Sequence, residues 1–225
     1  MNRVRNQGHR WLIKLESWLE ISHFRFLFLP VQNWIGSLSY QFRDWSEGIN
    51  TVGDVSYSEL GFTTETGFLY EPGGWRDLKD TLGNEVSPED VFIDFGSGKG
   101  RMVYLAVRDY PFKRVIGVEI NEKLNQIARQ NILKRLANLR CRQVELVTSN
   151  VLQFEIPDDI TVIYLFNPFG GNVFTSLLDQ IQLSLERRPR QIRLIYRNPV
   201  MHYFLMQYHF HLAFKMEDLN LYTID

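Results

Sequence analysis

The feature that most constrains this chain is a glycine loop between a short apolar strand and a helix. The strand is Val91–Phe95, and the loop from Asp94 to Gly100 reads Asp-Phe-Gly-Ser-Gly-Lys-Gly. Glycines at such a turn accept positive φ and let backbone N–H groups approach a ligand closely. Glu119 ends the next apolar strand, where a carboxylate can accept hydrogen bonds from ribose hydroxyls. The pattern predicts a nucleotide-type cofactor at the carboxyl ends of parallel strands.

Apolar strands alternate with amphipathic helices along the body of the chain. Strands are predicted at 91–95, 114–119, 144–147, 161–166 and 192–196, and helices near 74–83, 100–109, 121–138 and 172–186. Two tail strands, 208–215 and 219–224, are joined too tightly for a crossover helix and should be antiparallel. Alternation of this kind predicts a doubly wound, mostly parallel seven-stranded α/β sheet with a C-terminal antiparallel strand pair.

The front of the chain differs from this body. We divide the sequence into a helical, aromatic-rich N-terminal extension (1–48), a loop and helix leading into the core (49–90) and the core itself (91–225). The extension carries four of the five tryptophans, Trp11, Trp18, Trp34 and Trp45. Basic amphipathic helices with tryptophan can lie on anionic membranes, and amphipathic faces also cover cores or second subunits. The interpretations left open for residues 9–45 are packing on the body of the protein, a homodimer contact and a peripheral membrane contact.

Composition excludes several classes of protein. The net charge of −1 is too small for bulk nucleic-acid binding, which needs a strong positive excess. Cys141 is the single cysteine, so an internal disulfide and a Cys-rich metal site are excluded. No signal peptide and no apolar run of membrane-spanning length is legible. These observations predict a cytoplasmic protein, with peripheral membrane association as the alternative.

The loop spacing bears on which cofactor is bound. The dinucleotide fingerprint is G-x-G-x-x-G, whereas here the third glycine comes one residue early and Asp94 precedes the loop. An acid is a poor neighbour for a pyrophosphate and a good one for an ammonium group. S-adenosylmethionine carries an α-ammonium and a sulfonium and no phosphate. The charges therefore favour S-adenosylmethionine over a nicotinamide dinucleotide.

Taken together, these motifs resemble the class I (seven-strand) S-adenosylmethionine-dependent methyltransferases over roughly residues 63–225. Asp94–Gly100 matches the cofactor loop of that family, and Glu119 matches its ribose-binding acid. Asn150 and Val151 stand where the family commonly has Gly-Asp-Ala, whose acid contacts the adenine amino group; an asparagine oxygen can accept the same bond. The resemblance implies S-adenosylhomocysteine as product. It implies these cofactor-binding residues: Tyr70, Glu71, Asp94, Gly96, Ser97, Gly98, Gly100, Glu119, Asn150, Val151 and Asn167.

The fourth strand ends in Asn167-Pro168-Phe169. This segment is similar to the Asn-Pro-Pro-Tyr/Phe motif of methyltransferases that act on planar amino nitrogens, although the second proline is lacking. The spacing also resembles the seven-strand histone and protein lysine methyltransferases, which have an upstream loop comparable to Tyr70-Glu71-Pro72. The resemblance implies that Asn167, Pro168 and Phe169 contact the acceptor and that a nitrogen, foremost a protein lysine, is methylated. A small-molecule acceptor, a non-catalytic cofactor-binding module and a nicotinamide-dependent oxidoreductase are the alternatives.

Three further features have plain structural interpretations. His209 and His211 alternate on a predicted strand, but further metal ligands are not identifiable, so no metal is expected. The basic cluster Arg187, Arg188, Arg190, Arg193 and Arg197 is typical of a solvated face, with an acidic-substrate site as the alternative. We expect Lys99, within the glycine loop, to point to solvent.

Overall fold

The computed structural model describes residues 38–53, 70–135, 139–167 and 169–225. The chain divides into two compact units, Met1–Ser46 and Glu47–Asp225. The described part of the first unit, residues 38–46, is helical. The amphipathic segment 9–28, most of the contact surface proposed for 9–45 and the loop residues 54–69 lie outside the described residues. None of the described helices is long and apolar enough to cross a bilayer.

The second unit contains strands and helices in the predicted alternation. The strands are β1 (Val91–Phe95), β2 (Arg114–Glu119), β3 (Val144–Thr148), β4 (Val162–Phe166), β5 (Ile192–Arg197), β6 (His211–Met216) and β7 (Leu219–Ile224). The helices are α1 (Asp77–Leu82), α2 (Arg101–Asp109), α3 (Glu122–Leu133), α4 (Gly171–Arg187) and α5 (His202–Gln207). Strands β1, β2 and β7 agree with the prediction residue for residue, whereas α3 ends at Leu133, before the predicted position 138.

The strands form one seven-stranded sheet in the order β3-β2-β1-β4-β5-β7-β6. Strands β1 to β5 are parallel, and β7 runs antiparallel to both β5 and β6. The predicted fold class is therefore confirmed for the sheet. In the register, Phe95 of β1 lies between Val118 of β2 and Leu165 of β4. The carboxyl ends of these three strands consequently meet at one edge of the sheet.

Burial on both faces explains why the central strands are continuous apolar runs. All five residues of β1 are buried, and so is every residue of α2 from Arg101 to Val107. Close approach of α2 to β2 needs a glycine at position 117, because a Cβ there would lie 2.9 Å from Val103 and 2.8 Å from Leu146. This packing holds the start of α2 against the end of β1 and thereby positions the glycine loop.

The tail differs from the prediction. Strand β6 begins at His211, and His209 lies before it in a turn with φ of 63°. The histidines are therefore not paired on one strand, and that prediction is wrong. Helix α5 was not predicted. It is required because β7 lies between β5 and β6, so the chain has to cross over the position of β7 before it forms the hairpin.

Candidate active site

The glycine loop adopts the backbone conformation for which its glycines are needed. Gly96, Gly98 and Gly100 have φ values of 78°, 53° and 79°. Residues with a Cβ rarely adopt this left-handed region. The amides of Gly96 and Ser97 donate to the Val118 carbonyl of β2 at 2.8 and 3.1 Å. The loop is therefore fastened to the neighbouring strand and turns directly into α2.

Glu119 lies against this loop, as its place at the end of β2 predicts. Its Oε2 accepts a hydrogen bond from the Gly98 amide at 2.8 Å, and its Oε1 accepts one from the Asn121 amide at 2.9 Å. The side chain is 8% exposed. Burial raises the pKa of Glu119, and the backbone hydrogen bonds oppose that rise. Two fixed donors thus hold the carboxylate in one orientation beside the loop.

Asp94 is the second carboxyl group at this edge and is nearly inaccessible, with 3% of its surface exposed. Burial, and secondarily the charge of Glu119, raise the pKa of Asp94 well above its ordinary value. Close by in the loop, the buried Ser97 hydroxyl has no hydrogen-bond partner among the described residues. A ligand with a positive charge and a hydrogen-bonding group would stabilise both the buried acid and this hydroxyl.

The turn after β3 joins the same edge. The Ser149 amide donates to the Glu119 carbonyl at 3.0 Å, which places Asn150 and Val151 next to the end of β2. The Asn150 side-chain oxygen accepts a bond from the Leu152 amide at 2.9 Å and keeps a second lone pair. Val151 is buried in the core. The contact of Asn150 with adenine stays a prediction.

Asn167 follows β4 directly and has two unusual properties. Its φ of 40° lies in the left-handed region, which asparagine tolerates better than most residues. The residue is 7% exposed, and its side-chain oxygen is buried without a hydrogen-bond partner among the described residues. Phe169 is 9% exposed and packs in the core cluster, while Pro168 lies outside the described residues. Of the three predicted acceptor contacts, Asn167 therefore offers a hydrogen-bond acceptor that the described part of the chain leaves unused.

The upstream loop reaches the glycine loop through Tyr70. A Cβ on Gly98 would lie 2.3 Å from Cε2 of Tyr70, so the Tyr70 ring rests directly on the loop. Glu71, its neighbour, is exposed. The structure therefore brings Tyr70 to the predicted site, and the contact of Glu71 with a cofactor stays a prediction.

The expectation for Lys99 is wrong. Lys99 is 6% exposed, and its ammonium donates to the Val52 and Gly53 carbonyls at 2.8 and 3.0 Å. The flanking glycines turn its side chain away from solvent and under residues 51–53. Long-range partners of this kind leave no local signal in the sequence.

Arg101 is a residue that the sequence analysis missed. Its guanidinium is 2% exposed, lies 5.0 Å from the Trp75 ring centroid, and donates to the Thr51 hydroxyl at 2.7 Å and the Gly73 carbonyl at 2.9 Å. The available signal was an arginine within an otherwise apolar, buried helix. Such a charge must have partners inside the protein.

The basic cluster near β5 has a structural role. The ion pairs are Arg187–Asp158 at 2.7 Å, Arg193–Asp90 at 2.9 Å and Arg197–Asp77 at 3.3 Å. Arg190 donates to the Ile160 carbonyl at 2.6 Å. These four guanidiniums join loops and strands of the protein itself. Arg187 and Arg188 are exposed, as a solvated face predicts, whereas Arg190, Arg193 and Arg197 are half-buried. The acidic-substrate interpretation stays a prediction.

Comparison with known proteins agrees with this geometry. The sequence model of the family described as "Histone methylation protein DOT1" matches residues 80–163, which span α1 to β4. A curated "Protein-lysine N-methyltransferase" of Saccharolobus islandicus (strain REY15A) is 29% identical over 103 residues, or 46% of this chain. The aligned part is 58% of that relative, so the chain spans less than two thirds of its length.

By its sheet order, this chain has the class I, Rossmann-like methyltransferase fold.

Two solved structures that are similar to this chain are named as methyltransferases. An "RNA methyltransferase" from Salinibacter ruber bound to S-adenosylhomocysteine has a TM-score of 0.48 and 20% identity to this chain, over 68% of this chain and 92% of that one. A "SAM dependent methyltransferase" from Aquifex aeolicus has a TM-score of 0.48 and 13% identity, over 69% and 100% of the two chains.

The residues at this edge of the sheet fit S-adenosylmethionine. Glu119 would accept hydrogen bonds from the ribose hydroxyls, and Asp94 would lie near the α-ammonium, whose positive charge would stabilise the buried carboxylate. The Ser97 hydroxyl, which is buried without a partner among the described residues, is a further polar atom that this ligand would satisfy. Among the described residues, no group of three or more His, Cys, Asp or Glu side chains is placed to hold a metal ion.

We expect Asp94→Asn to raise stability and weaken cofactor binding. The pKa of Asp94 is higher in the folded protein than in the unfolded chain, so the folded state holds this proton more tightly. The free energy of unfolding of the protein therefore falls as the pH rises from about 4, the pKa of a free Asp, towards the folded value. The neutral amide removes this loss, which at neutral pH raises the melting temperature by about 2–4 °C for each kcal/mol. Affinity for S-adenosylmethionine falls about tenfold with loss of the charge.

Melting scans against pH and calorimetric titration measure the two effects. The control is Asp225→Asn, which changes an exposed carboxyl group. A lower melting temperature for Asp94→Asn at neutral pH, with unchanged affinity, would contradict the assignment of Asp94.

Proposed function

We propose that this protein transfers a methyl group from S-adenosylmethionine to an amino nitrogen, foremost the side chain of a protein lysine, and releases S-adenosylhomocysteine. The observation that carries the proposal concerns Asn167 at the end of β4. Its side-chain oxygen is buried and has no hydrogen-bond partner in the part of the chain that the structure describes. Strand β4 adjoins β1, so Asn167 follows a strand that is hydrogen-bonded to the one bearing Asp94 and the glycine loop. A hydrogen-bond acceptor at that edge suits an acceptor substrate that has N–H bonds.

Asn167 is suited to hold an amine because its oxygen accepts hydrogen bonds and carries no charge. A buried carbonyl without a partner costs about 1–3 kcal/mol, which an incoming N–H donor offsets. A neutral acceptor does not favour the protonated amine, as a carboxylate would. Asn167 would thus orient the nitrogen while leaving its lone pair free for reaction.

The choice of lysine is supported by two comparisons. The matching family is described as a histone methylation protein, and the curated relative is named a protein-lysine N-methyltransferase. The family match covers residues 80–163, which include the glycine loop and Glu119 and end before Asn167. We therefore place lysine ahead of a small-molecule amine.

The chain's own residues would position and desolvate the reactants. The bound cofactor supplies a methyl group activated by a sulfonium, for in-line transfer to the nitrogen. The Asn167 oxygen orients the amine, and the packed ring of Phe169 gives the site an apolar wall. Low polarity lowers the pKa of a lysine ammonium and so favours the neutral nucleophile. Alignment and exclusion of water account for the rate in such a site.

The test is transfer of isotope-labelled methyl groups from S-adenosylmethionine into a cell lysate that has been treated with the purified protein. The lysate is separated into protein, nucleic acid and small molecules, and labelled protein is hydrolysed to amino acids. We expect the label in methylated lysine. The control is the Asn167→Ala variant at the same concentration.

If the label appears elsewhere, a specific part of the proposal is wrong. Label in small molecules replaces lysine by a small-molecule acceptor. Label in nucleic acid contradicts a protein substrate. Cofactor binding without transfer into any fraction favours the non-catalytic module, and titration that detects a nicotinamide dinucleotide alone rejects methyl transfer altogether.

A further inference from the structure

We propose that Lys99 is a positioning residue that fastens the strap, residues 50–53, and Tyr70 over the glycine loop, and that this fastening sets the affinity for the cofactor. The inference rests on the proposed function in one respect, namely that the loop binds S-adenosylmethionine. It assigns a role to a buried lysine that takes no part in the chemistry described above.

Lys99 reaches the strap from inside the loop. Its ammonium donates to two successive strap carbonyls, those of Val52 at 2.8 Å and Gly53 at 3.0 Å. The same ammonium lies 5.1 Å from the centroid of the Tyr70 ring, within the range of a cation–π contact. One side chain of the glycine loop therefore contacts both the strap and Tyr70. Hydrogen bonds from a charged donor are stronger than neutral ones, so the contact is a firm one.

Tyr70 provides a second fastening to the same strap. Its hydroxyl donates to the Thr51 carbonyl at 2.6 Å, and its ring rests on Gly98. The ring is therefore held by the strap at its hydroxyl and by the loop at its face. Any outward movement of the strap has to pull Tyr70 away from Gly98.

Two further side chains, both from helices, hold the first residues of the strap. Asn131 of α3 accepts from the Asn50 amide at 2.8 Å and donates to the Asn50 carbonyl at 3.0 Å and to the Lys99 carbonyl of the loop at 2.9 Å. Arg101 of α2 donates to the Thr51 hydroxyl. These contacts hold the first two residues of the strap, whereas the Lys99 ammonium holds its last two residues against the loop.

The consequence for the cofactor follows from the contacts of Gly98. Its amide donates to Glu119 Oε2, so the residue under the Tyr70 ring also orients the predicted ribose-binding carboxylate. Lys99, Tyr70, Gly98 and Glu119 thus form a continuous chain of contacts from the strap to the predicted ribose site. When Lys99 loses its charge, the strap and Tyr70 loosen, and the loop has to be ordered by the ligand at a cost in affinity.

The experiment compares Lys99→Met, Tyr70→Phe and the double variant with the unaltered protein. Lys99→Met keeps an unbranched side chain that is one atom shorter and removes the three donors of the ammonium. The control is Lys123→Met, which changes an exposed lysine in the first turn of α3. Calorimetric titration gives the Kd for S-adenosylmethionine, and hydrogen exchange without cofactor reports on the peptide spanning residues 47–53.

We expect Lys99→Met to raise the Kd about tenfold and to speed amide exchange in that peptide, while exchange in β1 and β4 is unchanged. Tyr70→Phe, which loses the bond from the Tyr70 hydroxyl to the Thr51 carbonyl, should act in the same direction. Because both residues hold one element, the double variant should lose less affinity than the product of the single effects. The Lys123→Met variant should match the unaltered protein.

Three results overturn the inference. One is an unchanged Kd for Lys99→Met, and another is a raised Kd with faster exchange throughout β1 and β4, which would indicate general destabilisation. The third is a multiplicative effect in the double variant, which would show that Lys99 and Tyr70 act separately. Failure of the proposed function looks different: either the unaltered protein does not bind S-adenosylmethionine at all, or it binds the cofactor and transfers no methyl group to an amine, which leaves the Kd comparison intact.

Discussion

Replacement of Asn167 by alanine should lower methyl transfer by about 100-fold or more while the Kd for S-adenosylmethionine changes by less than about threefold. The side-chain oxygen of Asn167 is buried and has no partner in the described part of the chain, so its removal breaks no hydrogen bond there. The cofactor loop and Glu119 keep all the contacts described above. The loss should therefore fall on the step in which an amine is held and aligned.

The backbone of Asn167 calls for a second variant. Its φ of 40° is unfavourable for alanine, so strain could contribute to the effect of Asn167→Ala. Glycine accepts this φ without strain and also lacks the amide. We expect Asn167→Gly to be as inactive as Asn167→Ala, since the missing group is the oxygen. Recovery of activity in Asn167→Gly would assign the defect to backbone strain and contradict the proposed contact.

Single-turnover methyl transfer and calorimetric titration separate the two effects. The matched control is Asn172→Ala, which removes the amide of an exposed asparagine near the start of α4. It should leave both the turnover number and the Kd unchanged. Full turnover in Asn167→Ala with any identified acceptor would remove Asn167 from the active site.

Replacement of Glu119 by glutamine should weaken S-adenosylmethionine binding by about 30-fold or more. Each carboxylate oxygen accepts a backbone hydrogen bond, from Gly98 and from Asn121. A glutamine has only one acceptor oxygen, so its NH₂ group must face one of these amides and break that bond. The variant then loses both the orientation of the loop and a charged acceptor for the ribose.

Calorimetric titration with S-adenosylmethionine and with S-adenosylhomocysteine measures this effect. Both ligands carry the same ribose, so both should lose affinity to the same degree. Glu186→Gln is the control, because Glu186 is exposed on α4. An unchanged Kd for Glu119→Gln would show that the ribose does not contact Glu119, and a loss confined to S-adenosylmethionine would assign Glu119 to the sulfonium instead.

The sheet and the cofactor loop were predictable because their causes are local. Strand β1 is an apolar run that ends at a glycine, and β2 repeats the pattern and ends at Glu119. An apolar run that ends at a turn residue identifies a buried parallel strand even when the neighbouring strands are unknown. The adjacency of Gly98 and Glu119 then follows from the rule that ligand sites in such sheets lie at the carboxyl ends of the strands.

The surroundings of the loop were not predictable in the same way. Lys99 was expected in solvent because a lysine in a glycine-rich turn is usually exposed. Its partners are carbonyls of residues 52 and 53, far away in the sequence. Helix α5 was missed because most of its residues are apolar or aromatic, and short runs of such residues also occur in strands. The need for a crossover helix there follows from the strand order, which the sequence does not give. Contacts between distant segments depend on how the whole chain packs. The pattern of residues within one segment therefore does not predict them.

What the sequence by itself determined is the class of the protein: a parallel α/β sheet, a glycine loop flanked by Asp94, an acid at the end of the next strand and an asparagine after the fourth. Each of these depends on residue type and short spacing, which set backbone conformation directly. The tertiary structure alone decided that the Asn167 oxygen is left without a partner and that Lys99 holds the strap and Tyr70 over the loop. Burial and hydrogen bonding depend on which groups meet after folding, and that is settled only when the whole chain packs.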